Sequence, residues 1–226
     1  MINLRSFRLS LVSLLALGHV APASAQTDDS FYPEGVYGWY EAGAALVEDA
    51  KLKDFFGNPV NGNTVKFDPG FHFGIGIGRE LTRFVKIEVE SGFNYNKLDS
   101  IAGAAASSGN FYRAPVLGNL VLQYPNRTGL VPVIGAGVGG QWVCFDAQNI
   151  SLGGTPLNER SDTWVFTYQG YAGLRYEFSE RFNLGLFYRY NVADSPSWQF
   201  NSVPAGNLKL DAIRTHSLSL TFGWLF

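Results

Sequence analysis

Thr215-His216-Ser217-Leu218-Ser219-Leu220-Thr221-Phe222-Gly223-Trp224-Leu225-Phe226 decides the fold. From His216 onward the even positions carry His, Leu, Leu, Phe, Trp and Phe, while the odd positions carry Ser, Ser, Thr, Gly and Leu. A period of two is the mark of a strand with two unlike faces. A water-soluble strand seldom ends by turning a Trp and a terminal Phe onto one face, whereas a membrane-spanning strand does so where an aromatic girdle meets the lipid boundary.

Working back from this stretch, the same alternation recurs. It predicts strands at Val36–Val47, Gly70–Arg79, Phe84–Tyr95, Phe111–Tyr124, Leu130–Val143, Asp162–Phe178 and Phe182–Val192. In the third, Val85, Ile87, Val89, Phe93 and Tyr95 oppose Lys86, Glu88, Glu90, Gly92 and Asn94. The connections alternate in length. Glu80–Arg83, Pro125–Gly129 and Ser179–Arg181 are short and rich in turn residues, while Glu48–Phe67, Asn96–Asn110, Phe145–Ser161 and Asp194–Leu210 are long. With the C-terminal stretch the count is eight. The expected fold is therefore all-β: a closed, antiparallel, up-and-down transmembrane barrel with short periplasmic turns and long extracellular loops. Closure of an even number of strands also leaves no free edge.

Composition agrees. Charged residues are only 16% of the chain, aromatic residues reach 15%, and there are 26 glycines. A net charge of −2 without a basic run excludes the electrostatic footprint of a nucleic-acid binder. The single cysteine, Cys144, excludes an intrachain disulfide and a thiolate metal cluster. At the front, Arg5 and Arg8, the apolar run Leu9–Val20 and Ala23-Ser24-Ala25 form a charged region, a hydrophobic region and a cleavage pattern. The expected organisation is a signal peptide over 1–25, a periplasmic leader over 26–35 and a barrel domain over 36–226. Export to the cell outer membrane of a Gram-negative-type bacterium follows.

Orientation comes from the charges. A soluble barrel with a greasy pocket has the same alternation, but the apolar face here is rich in Tyr, Trp and Phe near both strand ends, as two membrane interfaces require. The opposite face then points into the lumen and carries Glu41, Lys86, Glu88, Glu90, Arg113, Arg175, Glu177 and Arg189. On the lipid side a midplane Arg or Lys would cost about 2–4 kcal/mol. An eight-stranded lumen has little room, so these charges must pair or meet water. The expected pairing is Glu88 or Glu90 with Arg175 or Arg189, with Glu41, Lys86, Glu88, Glu90, Arg175 and Arg189 at similar depth. Such a network either packs the lumen or gates a narrow porin-like channel.

These features resemble the eight-stranded outer-membrane β-barrel families that include the outer-membrane protein A barrel, outer-membrane protein X and the opacity proteins, over Val36 to Phe226. Ser219–Phe226 is similar to their C-terminal assembly signal: Trp224 and Phe226 match, while Thr221 stands where glycine is usual. The resemblance implies recognition by the barrel-assembly machinery and contact with outer-membrane lipid and lipopolysaccharide. It also brings lipid-modifying enzymes into view. Parity, however, puts His216 on the lipid face and Ser217 and Ser219 in the lumen, with no acid placed to orient the imidazole. His72 reads as a lumen polar residue, and Gly74-Ile75-Gly76-Ile77-Gly78 as glycines that let lumen side chains pack. No catalytic residue, cofactor or metal site is expected. Binding belongs to the long loops, where Phe55, Phe56, Trp198 and Phe200 either form an adhesive surface for an extracellular ligand or fold over the barrel rim. The expected role is structural or adhesin-like.

Overall fold

The computed structural model describes residues 35–57 and 63–226. The expected signal peptide, and the expected leader apart from Gly35, lie outside the described residues. Among the described residues every regular element is a strand: β1 Val36–Val47, β2 Ala50–Phe55, β3 Thr64–Phe67, β4 Gly70–Glu80, β5 Val85–Ile101, β6 Ala106–Gln123, β7 Leu130–Leu152, β8 Thr155–Leu157, β9 Arg160–Glu177, β10 Phe182–Ala193, β11 Ser197–Phe200, β12 Val203–Leu210 and β13 Ile213–Leu225.

Eight of these form the wall. Their order around the barrel is β5, β4, β1, β13, β10, β9, β7, β6, and β6 pairs back onto β5. All wall pairings are antiparallel, and the sheet closes where β1 meets β13, from Tyr37 opposite Leu225 to Val47 opposite Thr215. The three short turns hold themselves. Thr82 Oγ1 accepts from the Phe84 and Val85 amides, Asn126 Oδ1 from the Thr128 amide, and Ser179 Oγ from the Arg181 and Phe182 amides. Each side chain mimics a backbone turn bond, which is why Thr, Asn and Ser occupy those positions.

The outward face is a band of exposed Ile, Leu, Val and Phe, including Ile75, Ile77, Val89, Leu120, Ile134, Leu186 and Leu220. Aromatic side chains flank it. Near the short turns lie Phe84 and Tyr124, with centroids 6.4 Å apart, and Phe182 and Phe222 at 5.7 Å. Near the long connections lie Phe71, Phe93, Tyr95 and Tyr112, in successive contacts of 5.3–6.1 Å. An apolar band between two aromatic girdles is what a lipid bilayer selects on a barrel exterior.

The long connections differ from expectation. They are not irregular loops but a crown of β-structure. β5, β6, β7 and β9 are 17, 18, 23 and 18 residues long, whereas about 9–11 tilted residues cross a bilayer. Their outer portions therefore stand clear of the membrane and absorb most of the expected connections 96–110 and 145–161. Above the mouth, β11, β12, β2 and β3 pair in that order and join the outer end of β5. The cause is a second apolar alternation, short in each segment. Ala50 and Leu52, Trp198 and Phe200, and Leu208 and Leu210 all turn inward onto Phe111, Val143, Phe145 and Ile213 in one buried cluster.

Candidate functional site

The lumen is filled in layers, each supplied by the inward parity of several strands. In the central layer Arg189 of β10 reaches two carboxylates. Its Nε lies 2.9 Å from Glu41 Oε1 and its Nη1 3.2 Å from Glu90 Oε2. Glu41 also accepts from Ser219 Oγ at 3.0 Å and meets His72 Nε2 at 2.7 Å, while His72 Nδ1 lies 2.9 Å from Asn94 Oδ1. Glu90 accepts from Asn119 Nδ2 at 2.9 Å and Gln169 Nε2 at 2.7 Å. The guanidinium carbon sits 4.4 Å from the Tyr171 ring centroid and 5.3 Å from that of Trp39. Glu41, Glu90 and Arg189 are all buried. A buried ion group of this kind holds only because every carboxylate oxygen is occupied, since an unpaired charge there would be strongly unfavourable.

Toward the periplasm the second layer is looser. Glu88 accepts from the Tyr37 hydroxyl at 2.7 Å and the Tyr171 hydroxyl at 3.0 Å, and is paired with neither Arg175 nor Arg189. Arg175 bonds Glu177 at 2.9 Å and also Gln123; Lys86 pairs with Glu80 and lies 4.4 Å over the Tyr37 ring. Gln123 aside, these groups line a cavity of about 250 Å³ together with Trp39 and Phe187. The expectation of one common depth is thus corrected. Lys86, Glu88, Arg175 and Glu177 belong to the periplasmic layer, and Glu41, Glu90 and Arg189 to the centre, because the tilt of the strands displaces equal sequence offsets along the axis.

Outward of the centre, Arg113 is fully buried. It donates to Thr215 Oγ1 and, at 2.7 Å, to Asn96 Oδ1, and no carboxylate among the described residues lies within ion-pair distance. Only a space of about 20 Å³ separates this layer from the centre. Above Arg113 the apolar crown closes the mouth. Phe55 and Trp198 are completely buried, Phe200 nearly so, and the Trp198 indole donates to the Val143 carbonyl at 3.1 Å. Phe56 is half-buried, 4.9 Å from Phe55 and 5.9 Å from Phe200. The alternative of an exposed aromatic surface is corrected here: these rings face inward because they bury apolar surface against Phe111, Val143 and Phe145 of β6 and β7.

The outer wall corrects a second expectation. His216 does have an acid: its Nε2 lies 2.8 Å from Glu48 Oε1, and its Nδ1 lies 2.6 Å from the Tyr188 hydroxyl. Ser217 and Ser219 are buried on the other side of the wall. At the C-terminus the Trp224 ring lies across Gly38, where an added methyl would come within 2.4 Å, and Phe226 packs edge-on to Trp224 at 6.0 Å. The alternation puts Asn119 and Gln169 on the inward face beside the charges, but nothing in the sequence singles out Tyr37 and Tyr171, the other neutral partners that complete the layers. Inward parity is the signal they share with those charges.

Comparison with known proteins agrees with this architecture. The model of the family described as outer membrane protein beta-barrel domain matches residues 10–226. The chain is similar to the crystal structure of Neisserial surface protein A, with 16% identity, 84% of this chain and 97% of that chain covered, and a TM-score of 0.51. It is similar to the outer membrane protein OprG from Pseudomonas aeruginosa, with 14% identity, coverage of 87% and 99%, and a TM-score of 0.51. It is also similar to the solid-state NMR structure of outer membrane protein AlkL in DMPC lipid bilayers, with 16% identity, coverage of 91% and 97%, and a TM-score of 0.54. At these identities the likeness concerns the fold. No curated protein matches the chain.

Proposed function

This chain belongs to the outer membrane protein β-barrel domain family, and from that premise we propose that it is a non-conducting scaffold that holds an ordered β-crown at the surface of a Gram-negative bacterium for interaction with an extracellular partner. The observation that carries this reading is the double closure of the lumen. One barrier is ionic, the Glu41, Arg189 and Glu90 layer; the other is apolar, the cluster of Phe55, Trp198, Leu208 and their neighbours. A permeation path would have to break both. The crown instead presents a polar outer face, with Lys51, Lys53, Gln199 and Lys209 exposed where Leu52, Trp198, Leu208 and Leu210 turn inward. Ordered polar side chains on a rigid platform suit recognition, because little conformational freedom is lost on binding.

A non-enzymatic role fits this geometry. The hydroxyl that meets His216 is a phenol on the lipid side, and the serines serve the lumen instead. Recognition of Trp224 and Phe226 by the assembly machinery, and contact of the outer girdle with lipopolysaccharide, belong to the same reading. The test is single-channel recording of the folded barrel in a planar bilayer. Silence is the expected outcome. Reproducible conductance steps from the unmodified chain would reject the closed scaffold in favour of a narrow channel.

A further inference from the structure

The exposed cations of the barrel differ in kind between its two ends. On the crown they are mostly lysines, Lys51, Lys53, Lys66, Lys97 and Lys209, interleaved with the exposed acids Asp49, Asp68 and Asp99, and Lys53 pairs with Asp211 at 2.9 Å. At the periplasmic end, among the described residues, they are all arginines: Arg79 and Arg83 beside the β4–β5 turn, Arg127 in the β6–β7 turn and Arg181 in the β9–β10 turn. Each short turn thus carries at least one, and none of the four has an ion pair or a side-chain hydrogen bond among the described residues. The acids at this end are engaged elsewhere. Glu80 pairs with Lys86, Glu177 with Arg175, and Glu88 accepts from the hydroxyls of Tyr37 and Tyr171, so Glu180 is the one acidic side chain of this end without a donor among the described residues.

We propose that this ring of arginines binds the phosphate groups of anionic phospholipid in the inner leaflet of the outer membrane, collecting lipids such as phosphatidylglycerol around the periplasmic rim. The arginines stand at the level where headgroups begin. The Arg83 guanidinium carbon lies 4.4 Å from the centroid of the Phe84 ring, and Phe84 forms the periplasmic aromatic girdle with Tyr124, which marks the membrane interface. Arg79 continues the outward parity of Ile75 and Ile77 and stands opposite Ile87, so its stem covers apolar surface while its charge reaches the interface. Arg127 follows Tyr124 and Arg181 precedes Phe182, which sets both at the edge of the same girdle. A guanidinium is planar and presents paired donors that match a phosphate. Net negative charge on the lipid adds an attraction that salt screens. The inference rests on the outer-membrane placement and is independent of the crown and of any extracellular partner.

The test places the folded barrel in phosphatidylcholine vesicles with a trace of spin-labelled lipid and reads, by electron paramagnetic resonance, the fraction of label immobilised at the protein. Labelled phosphatidylglycerol is expected to associate about threefold more strongly than labelled phosphatidylcholine. That ratio should fall to about one when Arg79, Arg83, Arg127 and Arg181 are all replaced by Gln, and likewise at high salt. Replacing Lys51, Lys66 and Lys209 by Gln, at the opposite end, should leave it unchanged. Folding of each variant is checked by heat-modifiable electrophoretic mobility, and Arg79→Gln with Arg83→Gln, which leaves two turns untouched, keeps the test open through a partial loss if the full replacement does not fold. Equal association of the two lipids with the unmodified chain would overturn the proposal and leave the arginines to an acidic soluble partner. A preference that survives the full replacement, or that disappears in the crown variant, would also overturn it by moving the lipid contact away from this rim.

Discussion

Gly76 shows how single residues set the lumen. A methyl group there would stand 2.5 Å from the Trp39 ring, one on Gly78 would stand 2.5 Å from Tyr37, and one on Gly74 3.0 Å from Glu41. The alternating glycines of β4 are therefore the floor on which three consecutive inward side chains of β1 lie flat. Gly76→Val is expected to destabilise the barrel by about 1–3 kcal/mol, the usual cost of overpacking, as measured by urea unfolding. Gly118→Val is the control. A methyl at Gly118 meets nothing within 4 Å, so its midpoint should hardly move. Glu159, in the crown, sets a pH dependence. Ser202 and Asn201 donate backbone amides to its carboxylate at 2.9 and 3.1 Å, and the bonds from Ser202 and then Asn201 hold its pKa at about 2, below the ordinary 4.5. A depressed carboxylate pKa means the contribution is complete above the ordinary value and is lost as pH falls through the folded value. The amide shifts of Asn201 and Ser202 should titrate with a midpoint near pH 2, and Glu159→Gln should abolish that titration. A midpoint at the ordinary carboxylate value would show that the clasp is open in solution.

Among the elements, wall and crown differ in how they are held. The wall strands form one closed ladder whose hydrogen bonds need no cover from the crown. By contrast β2, β3, β11 and β12 are 6, 4, 4 and 8 residues long and could not persist as an isolated sheet of that size without an apolar face to bury. Trp198 is the largest side chain in that face, in contact with Phe111 at 6.3 Å and Phe145 at 5.5 Å. Trp198→Ala is expected to cost about 3–5 kcal/mol, confined to the crown. Trypsin should then cut at Lys53 and Lys209 well before the barrel loses its heat-modifiable mobility. Simultaneous loss of both would mean that wall and crown unfold as one unit. The wall was legible in the sequence because its alternation runs through whole strands. The crown was not, because each of its segments offers only two or three inward residues, and β2 finds its partner β12 across more than 150 residues, with Leu208 opposite Phe55 and Leu210 opposite Leu52.

For the whole molecule the two closures act in series. Glu41→Ala combined with Arg189→Ala removes one charge of each sign from the central layer and leaves Glu90 held by Asn119 and Gln169 alone, yet the apolar crown still covers the mouth. Single-channel recordings of that double variant should stay silent, and conductance should appear only when the β11–β12 hairpin is replaced by a short flexible linker as well. Steps from the double variant alone would show that the crown does not seal. By itself, the sequence determined the eight wall strands, the face that meets lipid, the inward parity of Glu41, Glu90, Arg113 and Arg189 and the membrane in which the chain resides. These depend on a period of two and on the solvent each face meets, both local properties of the chain. Tertiary structure alone decided which charges meet and which rings are covered. Arg189 joins Glu41 from 148 residues away, Glu88 turns to two tyrosines, and Trp198 closes the mouth. Such choices depend on strand tilt, stagger and the space left inside a closed barrel, quantities that no single strand carries.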